Sequence, residues 1–217
     1  MGLLDRFKDK PTPARVLEHP RDLLLGDMLD FALMEQQALN NKSFQVTKIW
    51  TVDLGGDSLS RTYFQLKDAD KRIRLRVFDD DILEIALEVT PDILLEAFDE
   101  DDIYDILDSE SGVNHHVAST VELNDLPTDL QGWVAKNYRQ EGFELAYRYN
   151  DDFRHKSLPQ YTGAGEQGCD LAWLISDDRK HGLEFCVFDG GRTEAYLCCY
   201  IPLRKIEALW PAKQEEE

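Results

Sequence analysis

The residue types best suited to covalent or metal chemistry are four cysteines, Cys169, Cys186, Cys198 and Cys199, and five histidines. No two cysteines stand at the C-x-x-C spacing of a zinc ribbon or a thioredoxin-like site. Cys198 and Cys199 are adjacent in the apolar, aromatic run from Ala195 to Ile201, which reads as a strand. Neighbouring side chains on a strand point to opposite faces, so these two thiols cannot readily share a metal. The pattern predicts buried, reduced thiols that pack as small hydrophobes. A Cys/His dyad can be drawn from Cys169 to His155 or His181, but four cysteines and five histidines allow such a pairing in any chain. There is no G-x-S-x-G nucleophile elbow, and the carboxylates are too numerous for a pair of them to be diagnostic.

Other motifs fail on context. Gly163, Gly165 and Gly168 spell G-x-G-x-x-G, but they lie in a loop that enters a strand, the reverse of a strand-to-helix nucleotide turn. The run from Asp99 to Tyr104 has acids at the first and third positions of a calcium loop. Ile103 then takes the fifth position and Tyr104 that of the invariant glycine, which predicts loose divalent binding and no cage. His115 and His116 are adjacent and lack the i, i+4 spacing of a helical zinc site. The sequence therefore assigns no catalytic, cofactor-binding or metal-binding residues.

Charge is more informative. The 217 residues carry 24 Lys and Arg against 43 Asp and Glu, a formal charge of −19. From Val77 to Ala135 there is no Lys or Arg, yet the stretch holds seventeen acids. A field of this sign repels nucleic acid and anionic lipid. Concentrating the acids in one stretch, instead of spreading them as solubility alone would require, predicts a continuous negative surface from Asp79 to Asp129 that recruits a basic protein partner. Asp99, Glu100, Asp101, Asp102 and Asp105 are its candidate binding residues. The first 21 residues lean the other way, with Arg6, Lys8, Lys10, Arg15 and Arg21 against Asp5, Asp9 and Glu18. Leu3, Leu4 and Phe7 fall at helical spacing there and are candidates for docking to a protein partner, with at most weak lipid contact.

Around these residues the chain divides into four stretches. Residues 1–20 read as a tail interrupted by Pro11, Pro13 and Pro20. Residues 21–90 read as a β-meander, in which 28–39 begins as a strand although Met34 to Leu39 also suits a helix. The clearest local signal is the hairpin from Lys71 to Val89, folded about Asp80, which sets Arg76 opposite Glu84 and Arg72 opposite Glu88. Residues 91–140 read as an acidic helical linker, opened by Thr90 as cap and Pro91 at the first helical position, with a second helix over 128–138. Residues 141–217 read as a second β-meander. Sliding the chain by 110 positions superposes Val77-Phe78-Asp79 on Val187-Phe188-Asp189 and Glu84 on Glu194. The expected fold is α+β: two similar antiparallel meanders, a tandem pseudo-repeat joined by the acidic helical segment and packed as one unit. No window approaches the roughly 18–20 apolar residues of a membrane span, and no signal peptide is seen, so a soluble cytoplasmic protein is expected.

Four stretches carry a family resemblance: Met1 to Phe7, the Leu-Leu-Leu-Gly-Asp-Met-Leu run from Leu23 to Leu29, the hairpin from Arg76 to Asp81, and the Cys-Cys-Tyr-Ile-Pro-Leu close from Cys198 to Leu203. Together they resemble the YjfK-like bacterial proteins, a family of unknown function. The resemblance covers most of the chain through scaffold features, and no functional residues carry over from it. It implies a bacterial cytoplasmic protein, from a family sometimes encoded near phage-shock-protein-like membrane-stress factors, whose opening segment Met1 to Phe7 loosely matches. The residues thus favour a non-catalytic interaction or adaptor protein. The alternative is a hydrolase-like enzyme or small-ligand binder with a pocket between the meanders and the loop from Asn150 to Gly168 as lid.

Overall fold

The computed structural model describes residues 15–55, 60–69, 71–108, 115–163 and 166–212. Eleven strands run in order: β1 (Met28–Phe31), β2 (Ser43–Asp53), β3 (Ser60–Lys67), β4 (Arg72–Asp79), β5 (Ile82–Val89), β6 (His116–Ala118), β7 (Asn137–Tyr149), β8 (Glu166–Ser176), β9 (His181–Phe188), β10 (Thr193–Pro202) and β11 (Ile206–Trp210). Helices α1 (Pro91–Leu95) and α2 (Glu100–Leu107) fall between β5 and β6. All strands join one antiparallel sheet in the order β11-β1-β2-β3-β4-β5-β10-β9-β8-β7-β6. A further pairing of β2 with β7, through Thr51↔Tyr149, Val52↔Arg148 and Asp53↔Tyr147, bends eight of these strands into a closed ring. The first half of β2 leaves the ring to pair with β1, and the first half of β7 leaves it to pair with β6. Both strands carry a bulge between their two roles, between Val46 and Lys48 and between Gln140 and Gly142.

The two faces of the ring differ in chemistry. Outside, Phe64, Leu75, Ile85, Phe185 and Leu197 belong to one large apolar cluster. That cluster is covered by Leu94 of α1, Phe98, Ile103 and Ile106 of α2, and by Met34, Leu39, Leu130 and Trp133 of the loops. Each such side chain, fully buried, contributes roughly 1.5–3 kcal/mol. Inside, side chains meet across the ring. Arg61 on β3 lies 3.9 Å from Glu184 on β9, a strand on the opposite side, which a flat sheet could not allow. Gly142 is required where it stands, because a Cβ there would run into the Trp173 indole that lies over it.

The α+β expectation is overturned. Among the described residues there is a single eleven-stranded sheet with two short α-helices, and no helical segment joins two separate meanders. The β5–β10 ladder runs unbroken from Ile82↔Pro202 to Val89↔Ala195 and fuses the two halves edge to edge. Backbone hydrogen bonding explains this, since each half alone would leave both outer strands unpaired. The expected acidic linker instead wraps the outside of the ring and contributes β6 and the start of β7. The helix expected over 128–138 is also absent. Leu130, Trp133 and Val134 have helical spacing, but Gly132 sits at φ +79° and the chain enters β7 at Asn137. Residues 28–39 form β1 and then turns, with the Asn40 side chain accepting from Met34 N at 3.1 Å.

The expected hairpin is present, with Arg76↔Glu84, Leu75↔Ile85 and Val77↔Leu83 in register. Thr90 occupies the cap position of α1 without a side-chain hydrogen bond, whereas Asp99 caps α2 by accepting from Asp101 N at 3.0 Å. Among the described residues, no helix is long and apolar enough to cross a membrane.

Candidate functional site

The ring's interior is built around Arg74. Alternation on β4 sends Ile73 and Leu75 outward and Arg74 and Arg76 inward. Arg74 donates to Glu184 at 2.6 Å and to Glu84 at 3.1 Å, and its guanidinium lies 4.5 Å from the Tyr63 ring and 4.0 Å from that of Tyr196. Arg76 donates to the other oxygen of Glu84. Both glutamates are buried, at 1% and 3% exposure, a placement that is costly unless guanidinium groups meet them. Burial alone would raise the Glu84 carboxyl, but Arg76 and Arg74 outweigh it and bring its pKa down to about 2. Burial also pushes the Tyr63 hydroxyl up to about 12, which keeps it protonated as a donor.

This cluster fills the waist of the ring, where Arg74, Glu184, Trp50, Tyr63 and Tyr196 leave a space of only about 10 Å³. A wider mouth opens on either side. One, of about 190 Å³, lies between Arg61, Phe78, Glu141, Trp173, Arg179 and Tyr200. The other, of about 170 Å³, lies between Trp50, Gln65, Arg72, Glu88, Arg148 and Glu194, with Arg74 at its floor. Glu194 accepts from Arg148 at 2.9 Å, from Arg192 at 2.7 Å and from the Tyr196 hydroxyl at 2.8 Å. Lys48, beside Trp50, has its pKa lowered by burial and then by the neighbouring Arg148. No disulfide links the four cysteines; Cys169, Cys198 and Cys199 are buried and Cys186 is half-buried. Cys198 faces inward beside Ala86 and Tyr196, and Cys199 faces outward into the large cluster, as adjacent strand positions must.

The candidate residues of the acidic stretch lie elsewhere, on the outside of the ring. Asp99, Glu100, Asp101 and Asp105 are exposed and Asp102 is half-buried, all on or beside α2. Next to them is a groove of about 250 Å³ between Pro91, Leu95, Ile103, Tyr104, Leu107 and Phe185, with Glu100 at its rim. Tyr104 is 63% and Leu95 41% exposed there. The acidic stretch is not one surface: Glu84 is sealed inside the ring, and Asp80, at the hairpin tip, is held by Arg21 at 2.5 Å. Leu3, Leu4 and Phe7 lie outside the described residues, as does Gly165 of the glycine run.

Sequence reasoning missed Arg148, Glu184 and Glu194. A signal existed in Leu183-Glu184-Phe185, a carboxylate between two core residues, which is costly unless a cation meets it. Nothing local named that cation. Among the described residues no group of three or more His, Cys, Asp or Glu could hold a metal ion. No family model matches the sequence, no curated protein is similar to it, and no solved structure matches its fold.

Proposed function

We propose that this chain is a non-catalytic interaction protein of the bacterial cytoplasm, and that it docks a basic protein through the groove beside α2. The observation that carries this is the juxtaposition of an apolar groove of about 250 Å³ with the acids of α2. Exposed Tyr104 and Leu95 supply an anchor of the kind that dominates interface energies, while Glu100, Asp101 and Asp105 select a cationic partner and speed its approach. A phage-shock-protein-like membrane-stress factor is the partner suggested by the YjfK-like resemblance. Leu3, Leu4 and Phe7 would add a second contact to a protein rather than to lipid.

The test is site-specific photo-cross-linking in cells from position 104, comparing the native chain with the quadruple variant Asp99→Asn, Glu100→Gln, Asp101→Asn, Asp102→Asn. A single cross-linked partner with a basic face, lost in the quadruple variant and on raising salt, is the expected result. A cross-link of equal yield in both proteins and at all salt concentrations would refute the reading.

A further inference from the structure

The mouth beside Trp50 is lined by Arg72, Arg74 and Arg148 against Glu88 and Glu194, with Lys48 and Arg192 close to its Arg148 and Glu194. Glu194 already accepts from two arginines and a tyrosine. Neither Lys48 nor Arg72 forms an ion pair with a described residue, and Lys48 instead donates to the Asn150 side chain at 2.9 Å. The unpaired buried atoms at and just below the mouth are Arg74 Nε, Arg148 Nε and the Tyr63 hydroxyl, all able to donate. Arg74 is only 5% exposed and lines both this cavity and the narrow space beneath it. In a chain of charge −19, this is a concave place whose lining holds three arginines against two glutamates.

We propose that this mouth binds a small doubly charged oxyanion, a phosphate group either free or carried on a small molecule. The cavity of about 170 Å³ admits a group of that size and excludes a polymer. Arg148 lines the cavity with its Nε unpaired while its Nη1 is held by Glu194, and a guanidinium is the side chain best suited to a phosphate oxyanion. Arg72 and Lys48 close over it from the rim. The site is independent of the groove beside α2, which lies on the outside of the ring.

The experiment titrates the full chain with inorganic phosphate at pH 8 and constant ionic strength, following both calorimetric heat and thermal midpoint, with chloride and acetate as parallel arms. Saturable binding of phosphate, with acetate at least tenfold weaker and chloride without effect, is expected. The rim variant Lys48→Gln/Arg72→Gln should weaken phosphate binding roughly tenfold, each exposed charge counting for up to about fivefold. Lys180→Gln, on the β8–β9 turn at the opposite end of the ring, should leave it unchanged. A glycerol phosphate arm distinguishes sources: binding tighter than inorganic phosphate assigns the site to a phosphate ester, and weaker binding assigns it to the free ion. Equal stabilisation by phosphate and chloride, or equal binding by native and rim-variant proteins, would overturn the proposal.

Discussion

Replacing Arg74 with methionine tests the description of the ring's interior directly. The change removes the shared cation of Glu84 and Glu184 and two guanidinium–tyrosine contacts. Glu84 keeps Arg76, but Glu184 is left with Arg61 at 3.9 Å. Breaking a buried ion pair by removing one partner costs about 3–5 kcal/mol, much of it the desolvation of the stranded charge. The lost cation–π contacts add about 1 kcal/mol or more, and the methionine side chain recovers part of the total by filling the volume. A net loss of about 4 kcal/mol is expected. With a urea slope of roughly 2–3 kcal/mol per molar, the unfolding midpoint should fall by about 1.5 M. Fluorescence of Trp50, stacked on Tyr63 at 5.5 Å, reports the transition. The double variant Arg74→Met/Glu184→Gln removes the stranded charge with its partner and should recover about 1–3 kcal/mol relative to the sum of the single losses. A loss below about 1 kcal/mol for Arg74→Met, or additivity within about 0.5 kcal/mol, would refute the reasoning.

Three further outcomes follow from the same geometry. Gly142→Ala should cost about 1–3 kcal/mol by forcing the Trp173 indole aside, read as a lowered Tm. Asp99→Ala should cost about 0.5–2 kcal/mol through loss of the α2 cap, while Asp99→Asn, which can still accept from Asp101 N, should cost little by the same denaturation assay. Glu84 has a native pKa depressed to about 2, below its ordinary value of 4.5, so the stability it contributes is complete above 4.5 and lost as pH falls towards 2. That contribution is on the order of 3 kcal/mol. Urea midpoints measured at pH 5, 4 and 3 should therefore fall more steeply in the native protein than in Glu84→Gln, and parallel slopes would contradict it.

What could be read from the sequence was whatever is fixed by neighbours along the chain. The β4–β5 register was legible because Arg76 and Glu84 alternate with Ile73, Leu75, Leu83 and Ile85 about one tight turn. The fate of the arginines was only half legible. Their partner Glu84 lies in the same hairpin, but Glu184 comes from β9, and only closure of the ring brings it near. Closure itself rests on three residue pairs between β2 and β7, too few to leave a periodic trace. The 128–138 stretch misled because Leu130, Trp133 and Val134 bury one face in any compact turn, and Gly132 permits the backbone reversal that a helix forbids. The acids near Asp99 lie on the surface as a group, yet Arg148, Glu184 and Glu194 were not legible because the partners of Arg148 and Glu184 lie on strands far away in sequence.

Ring closure also constrains how the protein is made. The outer edge of β5 waits for β10, and the edge of β2 waits for β7, so the first half of the ring emerges from the ribosome with two unsatisfied borders. At roughly 5–20 residues per second, the interval before Thr193 appears is of the order of ten seconds. During it Arg74 has Glu84 but not Glu184, and an inward face already committed to charge has no opposite wall. Nascent chains halted before β10 would be targets for holding chaperones and proteases. Once the ring is complete, its shortest ladder, the three-pair seam between Thr51 and Tyr149, is where amide exchange by local opening should begin.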